Sequence, residues 1–102
     1  MTLSASHAIL VCGDTNLEKY KGRIPLDCSA ATMNILLSAH GLGIGSVWVG
    51  IYPEEIRMNG MRKTLQLPEN IIPISLVSLG YPDENRGREN RFKAERIHRN
   101  QL

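Results

Sequence analysis

Three glycines occur at alternate positions, Gly41, Gly43 and Gly45, a spacing that resembles phosphate-binding turns. Glycine-rich turns bind nucleotide phosphates through backbone N–H groups when they follow a strand and open a helix. Here the glycines follow a helical segment and precede a strand, so no helix N-terminus would face a phosphate. The order therefore favours a helix stop, with one glycine in the left-handed conformation.

The cysteines and histidines indicate little further chemistry. Cys12 and Cys28 lack the paired spacing of metal ligands and lie in apolar surroundings, so we expect two reduced core residues. His7, His40 and His98 are scattered along the chain, and no metal site is predicted. No side chain is an obvious general acid or base, so the catalytic residues stay unassigned.

A long helix is the main element available to position a site. Asp27 is a good N-cap, and no charged residue occurs at residues 28–39. Apolar or small residues lie on nearly every face, which is typical of a helix that is buried all round. A domain of this size buries only about two-thirds of its unfolded surface. A core helix of a monomer is one interpretation, but the pattern favours a dimer-interface helix, covered partly by another chain or a missing segment.

Strands alternate with helices along the rest of the chain. Residues 8–12 are an apolar run typical of a strand buried on both faces, and residues 46–51 and 71–79 are the second and third strands. Pro53 would occupy the first position of a second helix that ends near residue 67. This order predicts an α/β or α+β layer with helices packed against a thin sheet.

The composition is that of one globular domain. The chain has 102 residues, of which 42% are hydrophobic and 22% charged, and its net charge of +2 is too small to indicate nucleic-acid binding. No apolar run approaches the length of a membrane span, and the N-terminus lacks a basic region before an apolar one. We expect a cytoplasmic protein with no nucleic-acid partner and no membrane partner.

Several short segments, taken in order, resemble the nitroreductase-like flavin oxidoreductases over nearly the whole chain. They are Ile-Leu-Val-Cys-Gly-Asp at residues 9–14, the helix at 27–40 with its Gly-Leu-Gly stop, Ser-Val-Trp-Val-Gly at 46–50, Leu-Pro at 67–68, Leu-Gly-Tyr-Pro at 79–82, and Arg91 followed by Arg-Ile-His at 96–98. The resemblance implies an α+β fold, with a mixed sheet flanked by helices and arms exchanged between subunits. It also implies FMN held at a dimer interface and hydride transfer from NAD(P)H to nitro compounds, quinones or similar acceptors.

The same resemblance implies that a strand end binds the flavin ring. Trp48, Val49, Gly50 and Ile51, here called the ring-edge segment, match the family's strand whose backbone N–H groups point at flavin N5 and O4. Fixed donors at that place stabilise the negative charge that develops on reduction. On the residues alone, the ring-edge segment reads as an ordinary strand end with a packed tryptophan.

The charged tail carries the second implied contact with the cofactor. On the residues alone, residues 83–102 read as a solvated terminus, since their carboxylates offset the arginines and weaken a nucleic-acid interpretation. The resemblance implies that Arg91, helped by Arg88, binds the FMN phosphate, because a planar guanidinium pairs well with phosphate oxygens. Glu89 stands where the family often has a lysine.

The family's N-terminal Arg-Ser-x-Arg segment and Pro-Ser-x-x-Asn loop have no counterpart before Ala8. Residues 1–82 would therefore be the C-terminal part of a nitroreductase-like domain, and residues 83–102 an extended basic tail or dimer arm. A split or truncated gene, a proteolysed form and a shortened relative would each explain this. The partner would be a second copy or a complementing N-terminal half. The alternative is a non-catalytic α/β dimerisation module that has lost flavin binding.

Overall fold

The computed structural model describes residues 5–82 and 88–102. In the first of these ranges, two helices pack against a three-stranded sheet. The strands are β1 (His7–Asp14), β2 (Gly45–Gly50) and β3 (Ile71–Gly80), and the helices are α1 (Ile24–Gly41) and α2 (Glu55–Leu65). Short 3-10 turns occur at Thr15–Leu17 and Ala94–Arg96. This order of elements confirms the predicted α+β class.

β3 is the central strand of the described sheet. It pairs in antiparallel fashion with β1 on one side and with β2 on the other. β1 is therefore an outer strand, and Ile9 near its start is 40% exposed. The prediction that residues 8–12 are buried on both faces is wrong within the described residues. An apolar run indicates that a strand tends to be buried, but it does not identify the element that buries it.

Pro73 lies in the central strand, where proline is normally excluded because it cannot donate a ladder hydrogen bond. The pairing of β1 with β3 shifts at this point, so that Val11 faces Ser75 while Cys12 faces Pro73. A bulge of this kind is one of the few places where a sheet tolerates proline. The irregularity lets β3 keep a fully buried Pro73 without breaking the sheet.

α1 begins three residues before the predicted N-cap. The N–H of Asp27 donates to the carbonyl oxygen of Arg23 at 3.0 Å, which places Asp27 inside the first turn. Pro25 also lies in this turn, where its missing N–H leaves no bond unmade. The prediction of Asp27 as N-cap is wrong, although its carboxylate still lies at the positive end of the helix dipole.

The end of α1 confirms the predicted glycine stop. Gly43 has a φ of 75°, in the left-handed region. The N–H of Gly43 donates to the His40 carbonyl at 3.0 Å, and the N–H of Ile44 donates to the Ala39 carbonyl at 2.8 Å. These two bonds form a Schellman motif, which satisfies carbonyl groups at the helix end and turns the chain into β2.

α2 is shorter at both ends than predicted. Pro53 precedes the N-cap Glu54 and is not the first helical residue. The helix ends at Leu65, because Gln66 adopts a left-handed conformation with a φ of 53°. The acidic Glu55 occupies the first turn, at the positive end of the helix dipole.

A pair of buried hydroxyl groups joins α1 to β3. Thr32 Oγ1 donates to the carbonyl oxygen of Cys28 at 2.7 Å and also lies 2.7 Å from Ser75 Oγ. Because the threonine hydroxyl has only one hydrogen, Ser75 is the donor in the second bond. Ser75 and Val77 therefore face α1, since alternate residues of a strand share one face of the sheet.

The chain as a whole is more extended than a compact domain. Its radius of gyration is 16.6 Å, whereas a compact domain of this length has about 13 Å. All of residues 88–102 are exposed, so the tail packs little against the sheet and helices. The predicted start of the tail at residue 83 lies outside the described residues.

Candidate functional site

The outer edge of β2 presents backbone groups that β3 does not use. The N–H of Ile51 donates to the Ile74 carbonyl at 3.1 Å, and the pairing register continues back along both strands. In an antiparallel pair only alternate residues bond to the neighbouring strand. Val49 is thus bonded to β3, while the N–H and C=O groups of Trp48 and Gly50 point to the outer edge. Among the described residues, no further strand pairs with this edge.

The ring-edge segment therefore divides into two pairs of residues. Trp48 and Gly50 direct their amides outward, whereas Val49 and Ile51 direct theirs toward β3. Ile51 is only 3% exposed and can donate to a ligand only by giving up its bond to β3. Trp48 is 37% exposed and faces Val77, on the side of the sheet that α1 covers.

Gly50 leaves open space at the end of β2, over the face of the sheet that it shares with Ser75. A Cβ atom built on Gly50 would have no heavy atom within 4 Å outside its chain neighbours. The carbonyl oxygen of Gly50 accepts a hydrogen bond of 2.8 Å from the guanidinium of Arg57. A flat ligand can therefore reach the Gly50 backbone, and a positive charge lies on the same edge.

Arg57 is the residue that the sequence interpretation missed. It lies in the first turn of α2, soon after the chain leaves β2. A long cationic side chain so close to a strand end is a signal in the sequence that could have identified it.

The tail arginines form a separate hollow of about 340 Å³. Its walls are the tail residues Arg88, Glu89, Asn90, Arg91 and Phe92. Arg91 Nη2 lies 3.0 Å from Glu89 Oε2, and both side chains are largely exposed. Exposed ion pairs of this kind contribute about 0–1 kcal/mol, so a phosphate could replace the carboxylate. The structure brings Arg88 and Arg91 together but does not bring this hollow onto the ring-edge segment.

One side of α1 lies open beside β1. Cys28, Thr32 and Ala39 are buried against the sheet, while Leu37 on another side of the helix is 63% exposed. A largely apolar groove of about 380 Å³ runs between the C-terminal half of α1 and the sheet. It is lined by Ile9, Asn34, Ile35, Ser38, Ala39, Leu42, Ile44 and Leu79. The helix that the sequence predicted to need cover from several sides receives it from one.

The two thiols are placed for packing. Burial raises the pKa of Cys28, and it also raises the pKa of Cys12 despite the opposing effect of the Arg62 charge. Both thiols are therefore protonated near neutral pH and are poor nucleophiles. Over residues 5–82 and 88–102, no three His, Cys, Asp or Glu side chains come together as metal ligands would. Neither helix in those ranges has the length and apolar content needed to cross a bilayer.

Comparison with known proteins decides the family. The model of the nitroreductase family matches residues 5–81, which include both helices and all three strands. The chain belongs to the nitroreductase family. The resemblance found in the sequence is thereby confirmed.

A nitroreductase-family relative from Methanothermobacter thermautotrophicus, provisionally named NADH dehydrogenase/NAD(P)H nitroreductase, is 50% identical over 98 residues. The match covers 96% of this chain and 51% of the relative, so the chain spans about half of the relative's length.

Solved structures of the family show the same fold. One from Clostridium acetobutylicum, provisionally named an NADH oxidase, has a TM-score of 0.93 at 35% identity and covers 96% of this chain and 60% of that one. An FMN-dependent nitroreductase from Clostridium difficile has a TM-score of 0.84 at 26% identity, covering 96% and 59%. The nitroreductase fold of this chain is therefore established, while each larger relative contains further structure.

Proposed function

We propose that this chain is part of an FMN-dependent NAD(P)H oxidoreductase that acts on nitro compounds, quinones or similar acceptors. The observation that carries the proposal is the outer edge of β2, where the amides of Trp48 and Gly50 point away from the sheet. The open space at Gly50 suits the approach of a flat ring. A solved relative is itself named as FMN-dependent, which supports this choice of cofactor.

The residues of the chain bind and orient the cofactor, while FMN when bound supplies the hydride-transfer chemistry. Trp48 and Gly50 donate their N–H groups to the edge of the ring. These donors are fixed by the pairing of β2 with β3, so they stabilise negative charge without rearranging when it develops. No protonating side chain is required from this segment.

The tail contributes the grip on the phosphate in this proposal. Arg91 exchanges its carboxylate partner Glu89 for a phosphate oxygen, and Arg88 adds a second guanidinium from the same hollow. Paired hydrogen bonds from a guanidinium to a phosphate are stronger than an exposed ion pair. We assign the tail as an arm that binds the phosphate, separate from residues 1–82.

A partner completes the site in this proposal. The exposed side of α1 and its apolar groove fit either a second copy or a complementing N-terminal half. We place the assembled protein in the cytoplasm, with NAD(P)H as hydride donor and no nucleic-acid or membrane partner.

The competing function is a non-catalytic α/β dimerisation module. One observation favours it: Arg91 is already paired with Glu89, at a position where the family often has a lysine. Under this alternative α1 still binds a partner, but no flavin occupies the edge of β2.

Titration with FMN separates the two functions. We expect the chain to quench flavin fluorescence with a dissociation constant that is micromolar or weaker, or roughly −8 kcal/mol at best. The substitution Arg91→Ala should weaken binding several-fold by removing a charged hydrogen bond. Arg99→Ala, which removes another exposed tail arginine, is the matched control and should have no effect.

Addition of a separately expressed N-terminal half should tighten FMN binding and give NAD(P)H-dependent reduction of a quinone. The reason is geometric, because donor and acceptor must be held at reacting distance, and half a pocket cannot do this. No FMN binding by the chain, with or without that half, would establish the dimerisation module instead.

A further inference from the structure

The peptide unit that joins Gly50 to Ile51 is held at both ends. Its carbonyl oxygen accepts from Arg57 Nη1 at 2.8 Å, and its N–H donates to the Ile74 carbonyl at 3.1 Å. One bond comes from α2 and the other from β3, so the plane of this peptide is fixed by two different elements. Of these two bonds, the one from Arg57 is made by a side chain, and the one to Ile74 is made by the backbone.

Gly50 needs such a restraint more than other residues of β2. It has no side chain to pack, its surroundings are open, and it is the last residue of an outer strand. Glycine rotates more freely than any other residue, so the peptide after Gly50 can turn relative to the Gly50 N–H unless a bond holds it. In an antiparallel strand the N–H and C=O of one residue point to the same edge. The guanidinium of Arg57 therefore lies on the edge where the Gly50 N–H emerges.

The matching bond at the far end of α2 shows what is special about Arg57. Arg62 Nη1 also donates to a backbone carbonyl, that of Pro68, at 3.1 Å. That bond joins α2 to the loop before β3 and lies away from the ring-edge segment. The helix thus makes two similar arginine–carbonyl bonds, and only the bond from Arg57 lies at the edge of β2 where the cofactor is proposed to bind.

We propose that Arg57 is a positioning residue for flavin, which fixes the peptide after Gly50 on the edge where the Gly50 N–H emerges and places a positive charge beside the reduced ring. This inference rests on the proposed FMN function. The positive charge should favour the reduced form, since that form carries more negative charge at this edge. Arg57 therefore affects both the affinity for FMN and the midpoint potential of the bound flavin.

The test compares Arg57→Met with Arg57→Lys and with the control Arg62→Met in the 102-residue chain. We expect Arg57→Met to weaken FMN binding about tenfold, as loss of a charged hydrogen bond does. The midpoint potential should fall by about 30 mV, which is a tenfold selective loss for the reduced form in a two-electron couple. Arg57→Lys should recover most of the potential, because it keeps the charge, and Arg62→Met should leave affinity and potential unchanged.

Hydrogen exchange in the flavin-free chain checks the restraint itself. The amide of Ile51 should exchange faster in Arg57→Met than in the wild type, and at the wild-type rate in Arg62→Met. FMN affinity and potential equal to wild type in Arg57→Met would overturn the role of Arg57 even if exchange changes. An unsubstituted chain that binds no FMN, with or without an N-terminal half, would overturn the proposed function and this role together, so the two failures are distinguishable.

Discussion

At the scale of single residues, Gly13 is the described glycine where an added side chain would meet its neighbour most closely. A Cβ atom at Gly13 would overlap the side chain of Ile24 at the start of α1. The substitution Gly13→Ala should therefore push α1 away from β1 and destabilise the fold by about 1–3 kcal/mol, as overpacking does. Urea unfolding followed by circular dichroism measures this change.

Gly60 is the matched control for that substitution. It lies inside α2, and a Cβ atom there would meet no other heavy atom within 4 Å. Gly60→Ala should increase stability by about 0.5–1 kcal/mol, because alanine is the better helix former. If Gly13→Ala proves as stable as wild type, the close packing of β1 on α1 is not present in solution.

Only part of the candidate site could be predicted residue by residue from the sequence. The resemblance selected residues 48–51 as a group, but the strand register separates Trp48 and Gly50 from Val49 and Ile51. Register depends on which strand lies beside β2, and that is a property of the folded sheet. Arg57 follows the strand end closely in the sequence, but the carbonyl that it binds is identified only by the folded structure.

At the scale of elements, α1 exposes apolar surface that its own chain does not bury. Leu37 is 63% exposed although it belongs to a helix without a charged residue between Asp27 and His40. We predict that Leu37→Asp dissociates the assembly, because an unpaired carboxylate in an apolar interface costs several kcal/mol. The monomer should remain helical, since Leu37 makes little contact within its own chain. Sedimentation velocity and circular dichroism measure the two effects.

Thr64→Asp is the control for an added carboxylate on a helix. Thr64 is exposed on α2, so this substitution should leave assembly unchanged. Loss of helix in Leu37→Asp at all concentrations would mean that residue 37 packs inside its own chain. An unchanged assembly would mean that this side of α1 faces water.

The order and type of the elements were predictable, and their limits and surroundings were less so. Asp27 is a favoured N-cap residue, yet Pro25 fits the first turn equally well, and α1 starts at Ile24. The apolar run of β1 indicated burial on both faces, but β1 is an outer strand of the described sheet. Local residue preferences report what a segment can do, while the neighbour that covers it is set by the tertiary structure.

At the scale of the whole molecule, the exposed area exceeds that of an independent domain. The chain exposes 8686 Å², whereas a folded monomer of its 11.4 kDa mass exposes about 5,800 Å². The excess is on the order of 3,000 Å² for one chain. The extended tail and the open side of α1 both contribute to it.

We therefore predict that the chain does not stay monomeric at micromolar concentration. Sedimentation equilibrium should give a dimer or a larger assembly, and thermal unfolding should shift upward as protein concentration rises. A folded monomer with a concentration-independent unfolding temperature would contradict the interface interpretation of α1.

The hydroxyl pair of Thr32 and Ser75 has a consequence for how the molecule can and cannot adapt. If α1 rotated about its axis or slid by one turn, the Ser75 hydroxyl would be left buried without this partner, at about 1–3 kcal/mol, while Thr32 would keep its bond to the Cys28 carbonyl. An apolar contact between helix and sheet would tolerate such slippage far better. The pair thus fixes the position and rotation of α1 on its own sheet, whatever binds to the other side of the helix.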